Sequence, residues 1–379
     1  MDIDFSEEQE MLRKMARDFL TTKCPGTLVR EMMEDEQGYP PDLWREIADL
    51  GWLGLTFPAK YGGEDGSFLD LAILLEEMGR VCFPGPFFST VLLGGLPILH
   101  LGNEGQKREL LPKICKGELL ATLALTEPEG RFDPSGVTLK AVPDSDGFVL
   151  SGTKLFVPDA HIADVIICVA RTSQAARETD KGITVFLVDG KSLGLERSLL
   201  KTVDGSKQCE LIFKEVRVPS KAILGEVDKG WGAIGRILEL AAVAKCAEML
   251  GGAQRILEMA IQYANDRQQF GRLIGTFQAI QHHCANMATD VDGMRMTTYQ
   301  AAWMLSENLP CRKEVAIAKA WASDAFKRVA FIGLRVHGGI GFMEDHDVSI
   351  FYRKARTDEF SFGDADFHRD VVSRELHIA

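Results

Sequence analysis

The stretch RVHGGIGFMEDHDVSIFYRKARTDEFSFGDADFHR, residues 335–369, contains two breaks in the backbone with a helix-like segment between them. The first break is the glycine cluster of residues 337–342, which follows a long apolar helix. Glycines this close together let the chain turn sharply and approach a ligand without a Cβ atom in the way. The second break is Phe362-Gly363-Asp364. The two breaks indicate either a cofactor with a reacting centre or two ordinary turns at helix C-termini.

Composition and charge narrow the class of protein. With 379 residues the chain is long enough for two or three packed domains, and 46% hydrophobic and 26% charged residues are typical of a soluble globular protein. The net charge of −12 argues against a nucleic-acid partner, because phosphate binding needs clustered Lys and Arg. No apolar run approaches the roughly 20 residues that cross a bilayer, and the charged N-terminus is unlike a signal peptide. We therefore expect a cytoplasmic protein with no membrane insertion.

Cysteine and histidine spacing gives no indication of a metal site. The eight cysteines are scattered without a CxxC pair, so we expect reduced thiols, most of them buried. His282 and His283 are adjacent, and adjacent residues do not share a helix face. No metal is therefore expected.

Apolar periodicity divides the chain into three domains. Three-to-four spacing predicts helices over residues 1–118, alternating runs predict strands over 119–225, and long helices return over 226–379. The tetrapeptide DSDG at 144–147, between two alternating runs, predicts a β-hairpin. The fold class is therefore α+β multidomain, with an N-terminal α-helical domain, a middle antiparallel β-domain built as a sandwich or barrel, and a C-terminal four-helix bundle. The bundle helices are expected at about 231–267, 275–308, 311–338 and 365–376.

Helix boundaries in the first domain depend on single residues. Gly79 is expected to stop a helix that spans 69–78, since glycine is the usual C-terminal stop. The segment FPGPFF at 83–88 is expected to be a loop broken by proline, and an apolar helix is expected from Val91 onward.

Four local motifs carry information beyond the fold. They are Thr-Glu-Pro at 126–128 after a strand, Arg-Gln-Gln-Phe-Gly at 267–271 after a helix, Phe-Gln at 277–278, and Val-His-Gly-Gly-Ile-Gly at 336–341. Each motif alone is weak, but together, in this order and at these separations, they resemble the acyl-CoA dehydrogenase family. The resemblance covers essentially the whole chain and implies the three-domain fold already predicted.

The resemblance also implies a chemistry. Members of this family bind FAD between subunits of a tetramer and remove a proton from Cα and a hydride from Cβ of an acyl-CoA thioester. A carboxylate takes the acidified α-proton, flavin N5 takes the hydride, and hydrogen bonds to the thioester oxygen stabilise enolate character. An acyl-CoA substrate, FAD and an electron-transfer flavoprotein as electron acceptor are therefore the expected partners.

The positions of the family's catalytic base depart from its pattern. The C-terminal pattern is roughly R-D-A-K-x-x-x-I-Y-E-G-T, in which the Glu is the usual base, and Phe362 stands at the position of that Glu. Some members carry the base on the first long bundle helix instead, and Ala241 stands there. Asp364, two residues past Phe362, is the best alternative base, although a helix cap or a solvated turn is its other possible role.

Residue by residue, the resemblance places two sets of side chains at the site. The expected cofactor-binding residues are Thr126, Phe132, Phe156, Pro158, Arg267, Gln269, Phe270, Gln278, Arg335, Gly338, Gly339 and Asp364. The expected substrate-binding residues are Phe132, Ala241, Phe362 and Gly363. Aromatic side chains at Phe83, Phe87, Phe88, Phe132 and Phe362 favour a compact or cyclic acyl group.

The departures are concentrated among the groups that in the family serve a subunit's own isoalloxazine and acyl thioester, of which Thr126 is the main survivor. Phe132 replaces a family Ser, Arg335 replaces a family Gln, and Phe156-Val157-Pro158 replaces the family's W-I-T, so that Pro158 supplies neither the hydroxyl nor a backbone N–H. The residues that in the family reach across the dimer to the neighbour's FAD are all present, namely Arg267, Phe270, Gln278, Gly338 and Gly339.

Several hypotheses follow. The chain could be the half of a heterotetramer that lacks the base and that binds FAD for a Glu-bearing homologue. It could instead form an ordinary FAD-binding homotetramer in which one site has lost some of its usual side chains. It could also be a non-catalytic structural subunit, or an active homomer that uses a non-standard base such as Asp364.

Overall fold

The computed structural model describes residues 5–173 and 180–378. Helices in the first third of the chain begin where the sequence supplies side-chain caps. Ser6 Oγ accepts a hydrogen bond from the N–H of Gln9, and Ser67 does the same for Asp70, in both cases as a reciprocal capping box. The helices are α1 (Glu7–Lys23), α2 (Gly26–Glu34), α3 (Pro41–Asp49), α4 (Phe68–Arg80), α5 (Leu96–Leu101) and α6 (Glu104–Cys115).

The middle segment is a sheet. Its strands are β1 (Ala121–Ala124), β2 (Lys140–Asp144), β3 (Gly147–Pro158), β4 (Val165–Arg171), β5 (Ile183–Asp189), β6 (Leu195–Leu200), β7 (Gln208–Pro219) and β8 (Ile223–Leu224). The order is β6-β7-β3-β2-β4-β5-β8, with β1 beside β4. Neighbours are antiparallel except β1–β4 and β2–β4, which are parallel. Asp144 pairs with Gly147, which confirms the predicted hairpin.

Long helices return after the sheet. They are α7 (Trp231–Asp266), α8 (Gln278–Ser306), α9 (Arg312–His337), α10 (Asp347–Asp358) and α11 (Ala365–Glu375). A two-stranded hairpin, β9 (Gln268–Gln269) and β10 (Arg272–Leu273), separates α7 from α8, and a 3₁₀ turn at Gly338–Phe342 follows α9. The predicted class of helical N-terminal, β middle and helical C-terminal segments is confirmed.

Two predicted boundaries in the first segment are wrong. Helix α4 continues through Gly79 to Arg80. A Cβ atom at Gly79 would lie 2.0 Å from the carbonyl oxygen of Glu248 on α7, so this glycine permits close helix packing and does not stop the helix. The region expected to be a loop until Val91 is already helical at Phe88, as a π-helix spanning Phe88–Gly95.

The described chain forms two compact units. Of the described residues, the helical unit comprises 5–33, 67–83 and 242–378, and the sheet unit comprises 34–66, 84–173 and 180–241. Within the helical unit, the buried carboxylate of Glu76 on α4 accepts hydrogen bonds from Arg295 (2.8 Å) and from the Tyr299 hydroxyl on α8. This explains why helices from the first segment pack with the bundle. The domain boundaries predicted at 118/119 and 225/226 stay predictions.

Across residues 5–173 and 180–378, no helix is long and apolar enough to span a membrane.

Candidate functional site

The glycine turn after α9 has an open face. Gly338 has φ +64°, a conformation that favours glycine, and no atom lies within 4 Å of a Cβ built at Gly338 or Gly339. Packing within the chain therefore does not require glycine at either position, whereas close approach of a ligand to the backbone would. Arg335 is exposed, with its guanidinium 5.9 Å from the centre of the Phe331 ring.

A buried histidine connects this turn to the end of α7. His337 Nδ1 donates to the carbonyl of Gly333 (2.8 Å), and its ring stacks on Tyr263 at 4.7 Å. Burial lowers the pKa of His337. The carbonyl of Tyr263 also accepts from the N–H of Arg267 (2.9 Å), so the glycine turn and the start of the β9–β10 hairpin are held by one aromatic residue.

The β9–β10 hairpin carries an exposed phenylalanine in a strained conformation. Gln269 pairs with Arg272, and the two loop residues Phe270 and Gly271 have φ of +54° and +79°. A left-handed conformation costs a non-glycine residue about 1–2 kcal/mol, yet the Phe270 ring is 92% exposed. Strained positions of this kind cluster at ligand clamps. Gln278 follows as the first residue of α8, with its side chain also exposed.

The second break places Phe362, Gly363 and Asp364 in one turn between α10 and α11. Phe362 has φ +58° and Gly363 φ +96°. Asp364 is the N-cap of α11, and its Oδ1 accepts from the N–H of Phe367 (2.9 Å). This capping bond is the alternative role that the sequence left open for Asp364, and it occupies one oxygen of the candidate base.

In the sheet unit, Lys154 binds both chain neighbours of Thr126. The carbonyl of Thr126 accepts from the N–H of Leu155 (2.8 Å). Lys154 Nζ donates to the carbonyl of Leu125 (2.9 Å) and to the carboxylate of Glu127 (2.7 Å), and both ionic side chains are buried. Burial alone would raise the pKa of Glu127, but the Lys154 ammonium, together with hydrogen bonds from Thr138 and Leu139, outweighs burial and holds that pKa below its usual value.

The other predicted site residues of the sheet unit lie in a β-bulge, at the end of a strand, beside a capped turn and on α7. Phe156 lies in an irregularity of the β3–β7 register, with φ +54° and a ring that is 56% exposed. Pro158 offers its carbonyl, which the Thr122 hydroxyl already occupies at 2.6 Å. Phe132 is half-buried beside Asp133, which caps the next short turn. Ala241 on α7 is buried.

Two functional candidates were missed by sequence reasoning. Lys319 on α9 and His368 on α11 are both buried and both bind the turn at Phe362. The only signal for Lys319 is a lone lysine in an otherwise apolar helix face, and no motif marks His368. Among the described residues, no group of three His, Cys, Asp or Glu side chains could hold a metal ion.

Comparisons with known proteins agree along the whole chain. Profiles of the acyl-CoA dehydrogenase N-terminal, middle and C-terminal domains match residues 6–118, 122–216 and 228–377. The caffeyl-CoA reductase-Etf complex subunit CarC of Acetobacterium woodii is 31% identical over 377 residues, which are 98% of this chain and 99% of that protein.

Solved structures give the same result. Butyryl-CoA dehydrogenase from Megasphaera elsdenii superimposes with a TM-score of 0.92 at 30% identity, with 100% of both chains covered. A chain of the ChsE4-ChsE5 complex from Mycobacterium tuberculosis gives a TM-score of 0.91 at 29% identity, again with 100% of both chains covered.

Proposed function

The chain belongs to the acyl-CoA dehydrogenase family, whose members are FAD-dependent oxidoreductases acting on the CH–CH bond of acyl-CoA thioesters, and we propose that it serves there as the half of a heteromer that lacks the base. The observation that carries this proposal is the intact turn at 362–364 with a phenylalanine at the position of the family's glutamate. Phe362 offers no carboxylate, and the one carboxylate of this turn, Asp364, caps α11.

None of the three candidate positions supplies a carboxylate that has no other role in the fold. The α-proton of an acyl-CoA must pass to a positioned base. The Phe362 ring and the Ala241 methyl group cannot accept it. Asp364 has a carboxylate, but it caps α11 through the N–H of Phe367, and loss of such a cap costs roughly 0.5–2 kcal/mol. We infer that the proton is taken by a glutamate of the partner subunit.

Two groups of residues would contact a cofactor, and the group in the helical unit suits it better than the group in the sheet unit. FAD, when bound, supplies the acceptor for the hydride that leaves Cβ. Arg267, Phe270 and Gln278 are exposed, and the Gly338-Gly339 turn has room for close approach, so this group suits the neighbour's adenosine diphosphate moiety. In the sheet unit, Pro158 has no N–H or hydroxyl to offer, and its carbonyl already accepts from the Thr122 hydroxyl. The chain would therefore contribute more to its partner's cofactor than to its own.

Two relatives support the choice of partners. The ChsE4-ChsE5 structure is a complex of two differently named chains, and CarC is named as a subunit of a complex with Etf. We infer a Glu-bearing homologue as the second subunit and an electron-transfer flavoprotein as the electron acceptor. The aromatic side chains at Phe87, Phe88 and Phe132 favour a compact or cyclic acyl group as substrate.

The test is the visible spectrum of the purified protein. The chain alone should carry little flavin, or flavin that acyl-CoA does not bleach, whereas the chain co-expressed with a Glu-bearing homologue should carry flavin that substrate bleaches. Bleaching by the chain alone would overturn the proposal. In that case Asp364→Asn decides between the alternatives: a homomer that uses Asp364 as its base loses bleaching and keeps its FAD.

A Phe362→Glu variant provides the complementary gain of function. If only the base is missing, this variant should bleach with acyl-CoA in any preparation that retains flavin, and Phe362→Gln should not. Gln is the matched control, because it has the size and polarity of Glu without a proton-accepting carboxylate.

A further inference from the structure

A lysine inside the helical unit binds the turn that carries position 362. Lys319 on α9 is 0% exposed, and its Nζ donates to the carbonyl of Gly363 at 2.9 Å. The carbonyls of Glu359 (3.2 Å) and Asp358 (3.4 Å) and the hydroxyl of Ser323 (2.7 Å) lie within reach of the same nitrogen. An ammonium group has three N–H bonds, so these four acceptors saturate it.

The acceptors explain what the lysine does to the backbone. Helix α10 ends at Asp358, and the last carbonyls of a helix have no partner within it and carry the negative end of its dipole. Lys319 satisfies the carbonyls of Asp358 and Glu359 and, with the same group, the carbonyl of Gly363. One cation thus ties the end of α10 to the start of the next turn.

A histidine binds a further carbonyl of this turn, one that Lys319 does not contact. His368 on α11 is buried, and its Nε2 lies 2.9 Å from the carbonyl oxygen of Phe362. A carbonyl can only accept, so Nε2 must carry the hydrogen. Burial, and then the nearby Lys319 ammonium, lower the pKa of His368 to about 4, so the imidazole is neutral at pH 7 and keeps this hydrogen.

The turn needs such support because it is strained and crowded. Phe362 is held at φ +58°, which costs a non-glycine residue about 1–2 kcal/mol. Gly363 has φ +96°, and a Cβ atom there would lie 2.4 Å from Phe367 Cδ1. The backbone therefore has no room for a side chain at this position. Strained residues persist only where the surroundings over-determine them.

We propose that Lys319 and His368 form a backbone clamp that positions the side chain at 362 whatever its identity. The clamp is defined as these two side chains and the carbonyls of Asp358, Glu359, Phe362 and Gly363. Its bonds to the turn all end on main-chain oxygens, so exchanging the side chain at 362 leaves them in place. Lys319 and His368 are positioning residues, and the inference rests on the proposed function only in taking 362 as the reacting position.

Hydrogen exchange of the full chain tests the clamp directly. Lys319→Met, which keeps the length and loses the donors, should speed amide exchange in a peptide covering 358–366 by about tenfold or more, with the strand peptide 183–189 unchanged. The matched control is Lys245→Met, because Lys245 is also buried and lies 3.5 Å from the carboxylate of Asp358, a side chain and not a carbonyl of the clamp. That control should change exchange in the same peptide by less than about threefold.

Two outcomes would overturn the proposal. Unchanged exchange in Lys319→Met removes the clamp, and equal acceleration in both lysine variants assigns the effect to loss of a buried charge. If Lys319→Met does not fold, His368→Leu and His368→Gln take its place. Leu should loosen the peptide and Gln, whose amide N–H can still donate, should restore protection; equal behaviour of the two refutes the clamp.

Kinetics separate failure of the clamp from failure of the proposed function. In a flavin-loaded Phe362→Glu background, the second substitution His368→Leu should lower kcat by about tenfold or more with little change in KM, because only the placement of the new carboxylate is lost. If Phe362→Glu gains no activity although exchange responds as expected, the clamp stands and the assignment of 362 as the reacting position falls. A gain that His368→Leu leaves untouched refutes the positioning role.

Discussion

Acidification from pH 7 to 4.5 should destabilise the protein through the buried imidazole of His368. Its pKa lies at about 4 in the folded chain against an ordinary value of 6.5, because burial and the Lys319 ammonium oppose its charged form and only Asp364 and the Phe362 carbonyl favour it. Between these two values the unfolded chain binds more protons than the folded one. Stability is therefore fully present above pH 6.5 and falls as the pH drops towards 4.

The magnitude follows from the two pKa values. At about 1.4 kcal/mol per unit, the full effect below pH 4 is about 3.5 kcal/mol, and roughly 2.5 kcal/mol of it is lost by pH 4.5. Urea unfolding at pH 7, 5.5 and 4.5 measures it, and His368→Gln isolates it from the carboxylates that titrate in the same range. The wild-type chain should lose about 2.5 kcal/mol more than the variant between pH 7 and 4.5. Equal losses in both proteins would refute the assignment of a neutral, buried donor at His368.

Three further predictions concern stability and assembly. Gly363→Ala should lower the free energy of unfolding by about 2–4 kcal/mol through backbone strain and overlap with Phe367. The control Gly232→Ala, in a helix with no atom within 4 Å of the new methyl group, should be neutral or stabilising by about 0.5–1 kcal/mol. Similar unfolding midpoints for both variants would contradict the crowding argument. Phe270→Asn should stabilise the isolated chain by up to about 1 kcal/mol and yet lower the flavin content of the co-expressed complex. Unchanged flavin content would remove Phe270 from the residues proposed to contact the neighbour's cofactor. Glu127→Gln should cost about 3–5 kcal/mol by leaving a buried ammonium unpaired, while Glu196→Gln, at an exposed ion pair, should cost less than about 1 kcal/mol in the same urea titration.

Periodicity and turn chemistry were sufficient for most of the fold. Helices α7, α8 and α9 follow uninterrupted apolar spacing, and Pro310 separates the last two, so their ends were predicted within about three residues. The DSDG turn gave the β2–β3 hairpin. Gly79 was misassigned because glycine stops a helix in one context and admits a neighbouring backbone in another, and only the position of Glu248 distinguishes the two.

The candidate site was predictable to a smaller extent. Its positions came from a resemblance between motifs, and spacing alone did not give them. Lys319 and His368 could not be found that way, because their partners are carbonyl groups, which every residue possesses and no sequence pattern marks. The strain at Phe270 was likewise invisible, since a phenylalanine before a glycine does not reveal a left-handed backbone.

The clamp on main-chain oxygens makes position 362 suitable for protein engineering. A scaffold that fixes a turn through carbonyl groups tolerates many side chains at its tip, so an imidazole, a thiol or a carboxylate could each be installed by one substitution. The native chain, whose aromatic ring at 362 has no acidic or nucleophilic group, is the reference against which each installed group can be compared. Because the surrounding bonds stay the same, differences in reactivity among such variants would report the installed group itself.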